Sequence, residues 1–383
     1  MKFKGFKNTN IYVVGKGIVK TSLRIDQNQI TEIKDDLEDS NLIELDSSYI
    51  VVPGFIDKHI HGANGSDFMN PSEKDILTIG RAIVQEGTTS CLATTMTQSK
   101  ENINKALQNI AAYINKKPTG IEILGIHLEG PFISPSHAGA QPKEFIIPCD
   151  KEAFEEFQSS AEGHIKQVTL AYEENGKELT KHLVDQGIVV SFGHTDCNYK
   201  LAYEAIQVGA TSATHTFNAM RGLHHRDIGV LGLSLLQKEI NCELICDLIH
   251  VSKPAVQLLF QNKGKEGVCL VTDSMEAKWM PDGLYKLGGQ DVIVKNQEAR
   301  LKDGTLAGST LKMNQAILNY MKTTGISLTE AIDCATIIPA KCLHVDHYKG
   351  SIEIGKDADL VVIDKDLNVY MTICRGEVVY SNL

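Results

Sequence analysis

His59 and His61, separated by one residue, close the apolar run Pro53-Gly54-Phe55-Ile56-Asp57-Lys58. On a strand, residues two apart point to the same side. Both imidazoles can therefore aim into one cavity, at the spacing a shared metal ion needs. Glu129, His194, His215 and Asp273 each close a further apolar run. A mixture of imidazole and carboxylate suits zinc or iron better than calcium. Bound metal lowers the pKa of a water from about 15.7 to about 7. An adjacent carboxylate can take that water's proton and hand it to a leaving group. Asp273 suits this base; a fourth ligand or a helix cap suits the same position. Taken singly, each histidine reads equally well as a satisfied core residue. Their recurrence at the ends of successive runs reads as a metal-dependent hydrolase. Asp57 shares the face of His59, and His127 that of Glu129, so both are expected as supports near the ligands.

The elements that would position these side chains alternate. Strand-like runs fall at 54–57, 90–94, 122–127, 165–170, 188–192, 213–216, 242–248 and 267–271, with helical patterns at 73–85, 102–116, 151–159, 176–186, 199–208 and 254–261. Further helices are expected at 311–321 and 328–334. Eight strand–helix units predict an α/β fold, a (β/α)8 TIM-like barrel. A doubly wound sheet reads similarly, but it gathers its site at one switch point. Ligands at the ends of many strands favour the barrel. Short strands at 10–14, 17–25, 29–33, 42–45 and 49–52, with strand character returning over 350–364, 369–375 and 378–380, predict a small discontinuous β-sandwich. The domains expected are 1–52 plus 346–383, and a barrel over 53–345.

Other stretches offer ligand contacts. Thr216 to Met220 leaves the sixth run beside His215, and Arg221, His224, His225 and Arg226 cluster after it. In a chain of net charge -10 that local basic patch is a candidate phosphate clamp or a solvated loop. His250 follows the seventh run. The Gly-rich stretch 303–309, containing Leu306, resembles a ligand-covering loop but matches no nucleotide-binding pattern. The acidic balance argues against nucleic acid. No run of 18 apolar residues occurs, so no spanning helix is expected. The Lys-rich start is not followed by a signal peptide's apolar region. Nine scattered cysteines read as buried thiols in a reducing compartment, which predicts a cytoplasmic protein.

Across nearly its whole length the chain resembles the N-acetylglucosamine-6-phosphate deacetylases of the amidohydrolase superfamily. The resemblance lies in PGFIDKHIHG, HLEGPFISP, AGAQPKEF, GHTD, HTFNAM, HHRDIG, IHV, LVTDSM, GTLAGSTLKMNQA and GSIEIGKDADLVVID. It implies removal of acetate from N-acetylglucosamine 6-phosphate, in amino-sugar catabolism or cell-wall recycling. The metal positions it implies are Glu129, His194 and His215. Because His59 and His61 are both kept, it further implies the two-metal variety with Glu129 bridging. Zinc is the first choice of ion, with iron, manganese or cobalt as substitutes. Asp273 matches the acid/base, and His250 a residue that binds the sugar and polarises the amide carbonyl. Asn218 and Ala219 match phosphate contacts, and Leu306 a further substrate contact. Arg226 and His225 would reach the phosphate from the neighbouring subunit of a homodimer. One departure stands out: where some members place a sugar-contacting histidine, this chain has Gln141, and His137 lies four residues earlier.

Two other classes read from the same residues. A cyclic amidase would bridge its metals with a carboxylated lysine near the end of the fourth strand, but the lysine here, Lys166, stands at that run's start. A deaminase fits the FNAM and HHRD stretches poorly. An inactive scaffold barrel would have lost ligands, and none is lost.

Overall fold

The computed structural model describes residues 3–37 and 39–383. Eight parallel strands form one sheet: β1 (Phe55–Ile60), β2 (Thr88–Thr95), β3 (Glu122–Glu129), β4 (Ile165–Leu170), β5 (Val189–Phe192), β6 (Ser212–Ala213), β7 (Asn241–Ile245) and β8 (Val268–Val271). Each pairs with its chain neighbours, the order of a barrel. Backbone bonds between the end of β1 and the residues just past β8 close it: the Asp273 N–H donates to the His59 carbonyl at 2.8 Å, and the His61 N–H to that of Ser274 at 2.9 Å.

One helix follows each strand: α1 (Glu73–Ile83), α2 (Lys100–Asn115), α3 (Lys151–Ser160), α4 (Gly176–Asp185), α5 (Tyr199–Val208), α6 (Gly229–Leu236), α7 (Lys253–Lys263) and α8 (Met313–Thr324). Two short helices, α9 (Leu328–Asp333) and α10 (Ile337–Cys342), come after α8. Ile76, Ile79 and Ile83 of α1 recur at three to four residues and are buried. Ser99, Asp150 and Asn198 accept a backbone N–H at the starts of α2, α3 and α5.

The chain ends meet as expected. They form one continuously hydrogen-bonded sheet, ordered Glu377–Ser381, Val369–Cys374, Leu360–Ile363, Ile50–Pro53, Gly5–Val13, Gly17–Asp26, Gln29–Lys34. Its side chains alternate: Val51, Leu360, Val362 and Ile373 join Phe6, Leu23 and Ile25 in a core of their own. Val52, Val361, Ile363 and Cys374 join the barrel core.

Five details differ from expectation. Of the stretch expected as strand at 350–364, only Leu360–Ile363 is one. The strand expected at 42–45 is a single bridge between Phe6 and Ile43. The sixth and seventh strands stop early, at Ala213 and Ile245. Helix α6, GVLGLSLL, is buried along Gly229 to Leu235 and so shows no polar face to betray its period. Three antiparallel strands, Gly283–Leu287, Gln290–Lys295 and Glu298–Arg300, follow β8 as an unexpected small sheet. They pack on Met96, Met275 and Ala277, and Leu287 reaches the cavity at the barrel mouth.

Candidate metal centre

Strict alternation breaks within β1, where its register against β2 shifts between Asp57 and Ile60. Consecutive Lys58 and His59 consequently reach the same buried carboxylate, Glu243. Asp57 accepts the N–H groups of His59 and Thr272, pinning the strand end as support. His194, His215 and Asp273 each sit two residues past a strand, with φ of 47°, 30° and 47°. That left-handed turn is uncommon for such residues and carries strain, as functional positions often do. Gly193 permits the first of these turns, because a Cβ there would lie 2.5 Å from Thr169 and 2.7 Å from Thr214.

Six side chains converge. Glu129 Oε1 lies 3.1 Å from His215 Nε2 and 3.4 Å from the Nε2 atoms of His59 and His194. Its Oε2 lies 3.3 Å from His61 Nε2. Asp273 Oδ1 stands 3.2 Å from His61 Nε2 and 3.5 Å from His59 Nε2. Two groups, His59–His61–Glu129 and Glu129–His194–His215, hold their ligand atoms within 4.8 Å of one another and share Glu129.

Three of the rings are fixed from behind. The Nδ1–H of His59 donates to Glu243 at 3.0 Å, that of His61 to the Thr94 carbonyl at 3.3 Å, and that of His194 to the His137 carbonyl at 2.9 Å. Each Nε2 lone pair is thereby turned inward. The buried His59 Nε2 has no hydrogen-bond partner. An orphaned buried nitrogen among carboxylates and imidazoles fits a divalent cation.

Electrostatics agree. Burial pushes the Glu129 carboxyl up, but the imidazoles of His59, His194 and His215 outweigh it and hold Glu129 well below the usual carboxylate range. Asp273 is lowered too: burial raises it, and His59 and His61 prevail. Burial lowers His61, yet the Asp273 and Glu129 carboxylates raise it to about 9. The cavity thus favours positive charge. His127, beneath, is pushed well below the usual histidine value by burial and then by His59, whose ring it meets edge-on at 4.6 Å.

A cavity of roughly 360 Å³ opens above, lined by His61, Glu129, Gln141, His194, His215, Asn218, Ala219, His250, Asp273 and Leu306 among others. His250 Nδ1–H donates to Asp247 at 2.6 Å, which leaves its other nitrogen for the cavity. Burial lowers its pKa, and Asp247 more than offsets this to raise it. Gln141 is engaged at both ends: it donates to Glu129 Oε2 at 2.8 Å and accepts from the Thr97 N–H at 2.8 Å. One N–H and one lone pair remain for a sugar hydroxyl.

The expected basic cluster divides. Arg221 is tied to both oxygens of Asp196 and to Asp227, so it is no free clamp. His225 and Arg226 lie exposed on a loop and away from the cavity of their own chain, bonded to each other at 2.7 Å. No Lys or Arg lines the cavity among the described residues. Sequence reasoning missed Lys58, Gln167 and Glu243, which sit bonded together under His59. The available signal was an acid inside an otherwise apolar strand, Cys242-Glu243-Leu244-Ile245.

Comparison with known proteins agrees. Residues 50–379 match the amidohydrolase family. N-acetylglucosamine-6-phosphate deacetylase of Bacillus subtilis (strain 168) is 45% identical over 345 residues, covering 89% of this chain and 87% of that protein. N-acetylgalactosamine-6-phosphate deacetylase of Escherichia coli O157:H7 is 36% identical, covering 86% and 87%. The crystal structure of N-acetylglucosamine-6-phosphate deacetylase from Thermotoga maritima superposes with a TM-score of 0.90 at 36% identity, covering 99% of this chain and 100% of that one. Barrel, centre and relatives together place this chain in the amidohydrolase family, among the N-acetylglucosamine-6-phosphate deacetylases.

Proposed function

We propose that the protein hydrolyses N-acetylglucosamine 6-phosphate to glucosamine 6-phosphate and acetate. The observation that carries this is Asp273 facing two imidazole–carboxylate groups that share Glu129, across a cavity large enough for one sugar. His59, His61 and Glu129 would hold one ion, and Glu129, His194 and His215 a second, with Asp273 in reach of the first. Zinc suits this donor set best, and iron, manganese or cobalt can substitute. A bound ion supplies Lewis-acid chemistry, acidifying water and polarising the acetamido carbonyl.

The chain's own groups do the rest. Asp273, held ionised, takes the proton of the attacking water and delivers it to the amide nitrogen as the C–N bond breaks. Amines leave poorly unless protonated. His250, oriented by Asp247, donates to the carbonyl oxygen as negative charge builds there. Leu306 lines the sugar, Asn218 and Ala219 meet the phosphate, and the spare valences of Gln141 can meet a hydroxyl. A phosphate dianion calls for cations, which this cavity does not supply from its own walls. In the homodimer we propose, the exposed Arg226 and His225 of one protomer supply them to the other. Lys166, exposed at the start of β4, cannot bridge metals in the barrel, which counts against a cyclic amidase. The nine cysteines are all unpaired, and no helix among the described residues is long and apolar enough to cross a membrane. We place the reaction in the cytoplasm on the thiols.

The test is acetate release from N-acetylglucosamine 6-phosphate, its galacto epimer and unphosphorylated N-acetylglucosamine. Preference for the gluco phosphate is expected. Equal turnover of the unphosphorylated sugar removes the phosphate clamp, and no release from either phosphate removes the function.

A further inference from the structure

Beneath the centre lies a buried charge that the proposed reaction does not use. Glu243 of β7 is fully buried, and all its contacts are accounted for. Oε1 accepts from Lys58 Nζ at 2.9 Å and from Gln167 Nε2 at 2.8 Å. Oε2 accepts from His59 Nδ1–H at 3.0 Å and from the His215 backbone N–H at 3.3 Å. Lys58 in turn donates to Gln167 and Ser212, so both members of the ion pair are satisfied.

A structural ion pair needs only the Lys58 half of this arrangement. The other oxygen is spent on one ligand from each metal group: the ring of His59 and the backbone of His215. His59 then presents a buried Nε2 with no partner. A ring gripped at one nitrogen and bare at the other is the arrangement that makes an imidazole a pre-aimed ligand. The register shift in β1, which brings Lys58 and His59 to the same carboxylate, has the same consequence.

We propose that Glu243 is the positioning residue of the metal centre, aiming His59 at the ion and tying its group to that of His215. The proposal rests on the two-ion reading above. An amide at 243 has one oxygen to accept with, so its NH2 would face either the Lys58 ammonium or the His59 Nδ1–H, donor against donor.

The test measures bound zinc per chain and its affinity by chelator competition, for the wild type, His61→Ala and Glu243→Gln. The wild type should hold two ions and His61→Ala one. Glu243→Gln should keep one ion at wild-type affinity and bind the other about 10- to 100-fold more weakly. If the wild type holds only one ion, the two-ion reading fails. Glu243 is then judged by proton NMR of the metal-free wild type. There a downfield, slowly exchanging His59 Nδ1–H resonance, assigned by its loss in His59→Gln, is expected and should vanish in Glu243→Gln. Should Glu243→Gln not fold, the pair Lys58→Met with Glu243→Gln removes both buried charges and takes its place. Two ions bound at unchanged affinity in the variant, or no such resonance in the wild type, overturns the proposal.

Discussion

Strand β3 carries a carboxylate at each end, about 23 Å apart, and the barrel treats the two in opposite ways. At its start, Glu122 meets Lys349, whose Nζ lies 2.6 Å from Glu122, 2.8 Å from Asp357 and 2.6 Å from Asp359. Burial lowers that lysine's pKa, but Asp359, Glu122 and Asp357 outweigh it and raise it above the ordinary value. The cation is covalent and permanent, and it joins the chain-end sheet to the barrel. At the strand's other end, Glu129 and Asp273 meet four imidazoles, with no Lys or Arg among the cavity's described walls. Two clusters with a similar demand for positive charge are thus answered by a built-in ammonium and by an exchangeable ion. The first makes a clasp; the second leaves coordination for chemistry.

The sharpest way to separate the ends is Asp273→Asn. Losing a general acid–base costs about 10²- to 10⁴-fold in kcat. Acetate-release kinetics should show that loss while thermal melting of the loaded protein moves little. Comparable losses in both would make Asp273 a stability residue like those of the clasp.

His250→Asn should cost about 10²- to 10³-fold in kcat, the effect of removing an oxyanion donor. In the wild type, burial lowers the His250 pKa, and the Asp247 carboxylate more than offsets this to raise it above the ordinary histidine value. Its contribution is present below that pKa and fades as pH rises through it, giving kcat/KM a basic limb. The variant's pH profile should lack that limb; an unchanged limb assigns the titration elsewhere.

Lys349→Met strands buried acids at the clasp. Breaking such a pair costs about 3–5 kcal/mol, and the 28% exposure of Glu122 points to the lower end. Urea unfolding should report this with zinc stoichiometry unchanged. A parallel fall in bound zinc would show that the two ends are not independent.

The smallest effect concerns removal of the ion. In metal-free protein, His61 titrates at about 9, above its unfolded value near 6.5. The stability it contributes is complete below about pH 6.5 and is lost as pH rises through about 9. Denaturation of stripped protein should weaken across that window more than denaturation of loaded protein. Parallel curves would mean that His61 does not feel Glu129 and Asp273.

What the sequence discloses follows the same division. Strands β1 and β3 are legible because short apolar stretches lead into His-x-His at 59–61 and into His-Leu-Glu at 127–129, so element and chemistry announce each other. Helix α6 is not, since a helix buried nearly all round has no polar period to read. The three strands after β8 were hidden because they cover the mouth rather than continue the strand–helix alternation. Among site residues, the imidazoles and acids at strand ends were legible by type and place. Glu243 shows only as an acid inside an apolar run, and its partnership with Lys58 depends on a register shift no pattern reveals. The bonds of Gln141 to Glu129 and Thr97 are not legible, because they exist only once the loop has folded over the centre.

The most direct test is to strip the protein of metal, add zinc back in known increments, and follow bound zinc and acetate release from N-acetylglucosamine 6-phosphate together. No turnover is expected in the stripped protein, with recovery in step with binding. Full turnover without metal, or a Glu129→Gln variant that binds and restores as the wild type does, would contradict it.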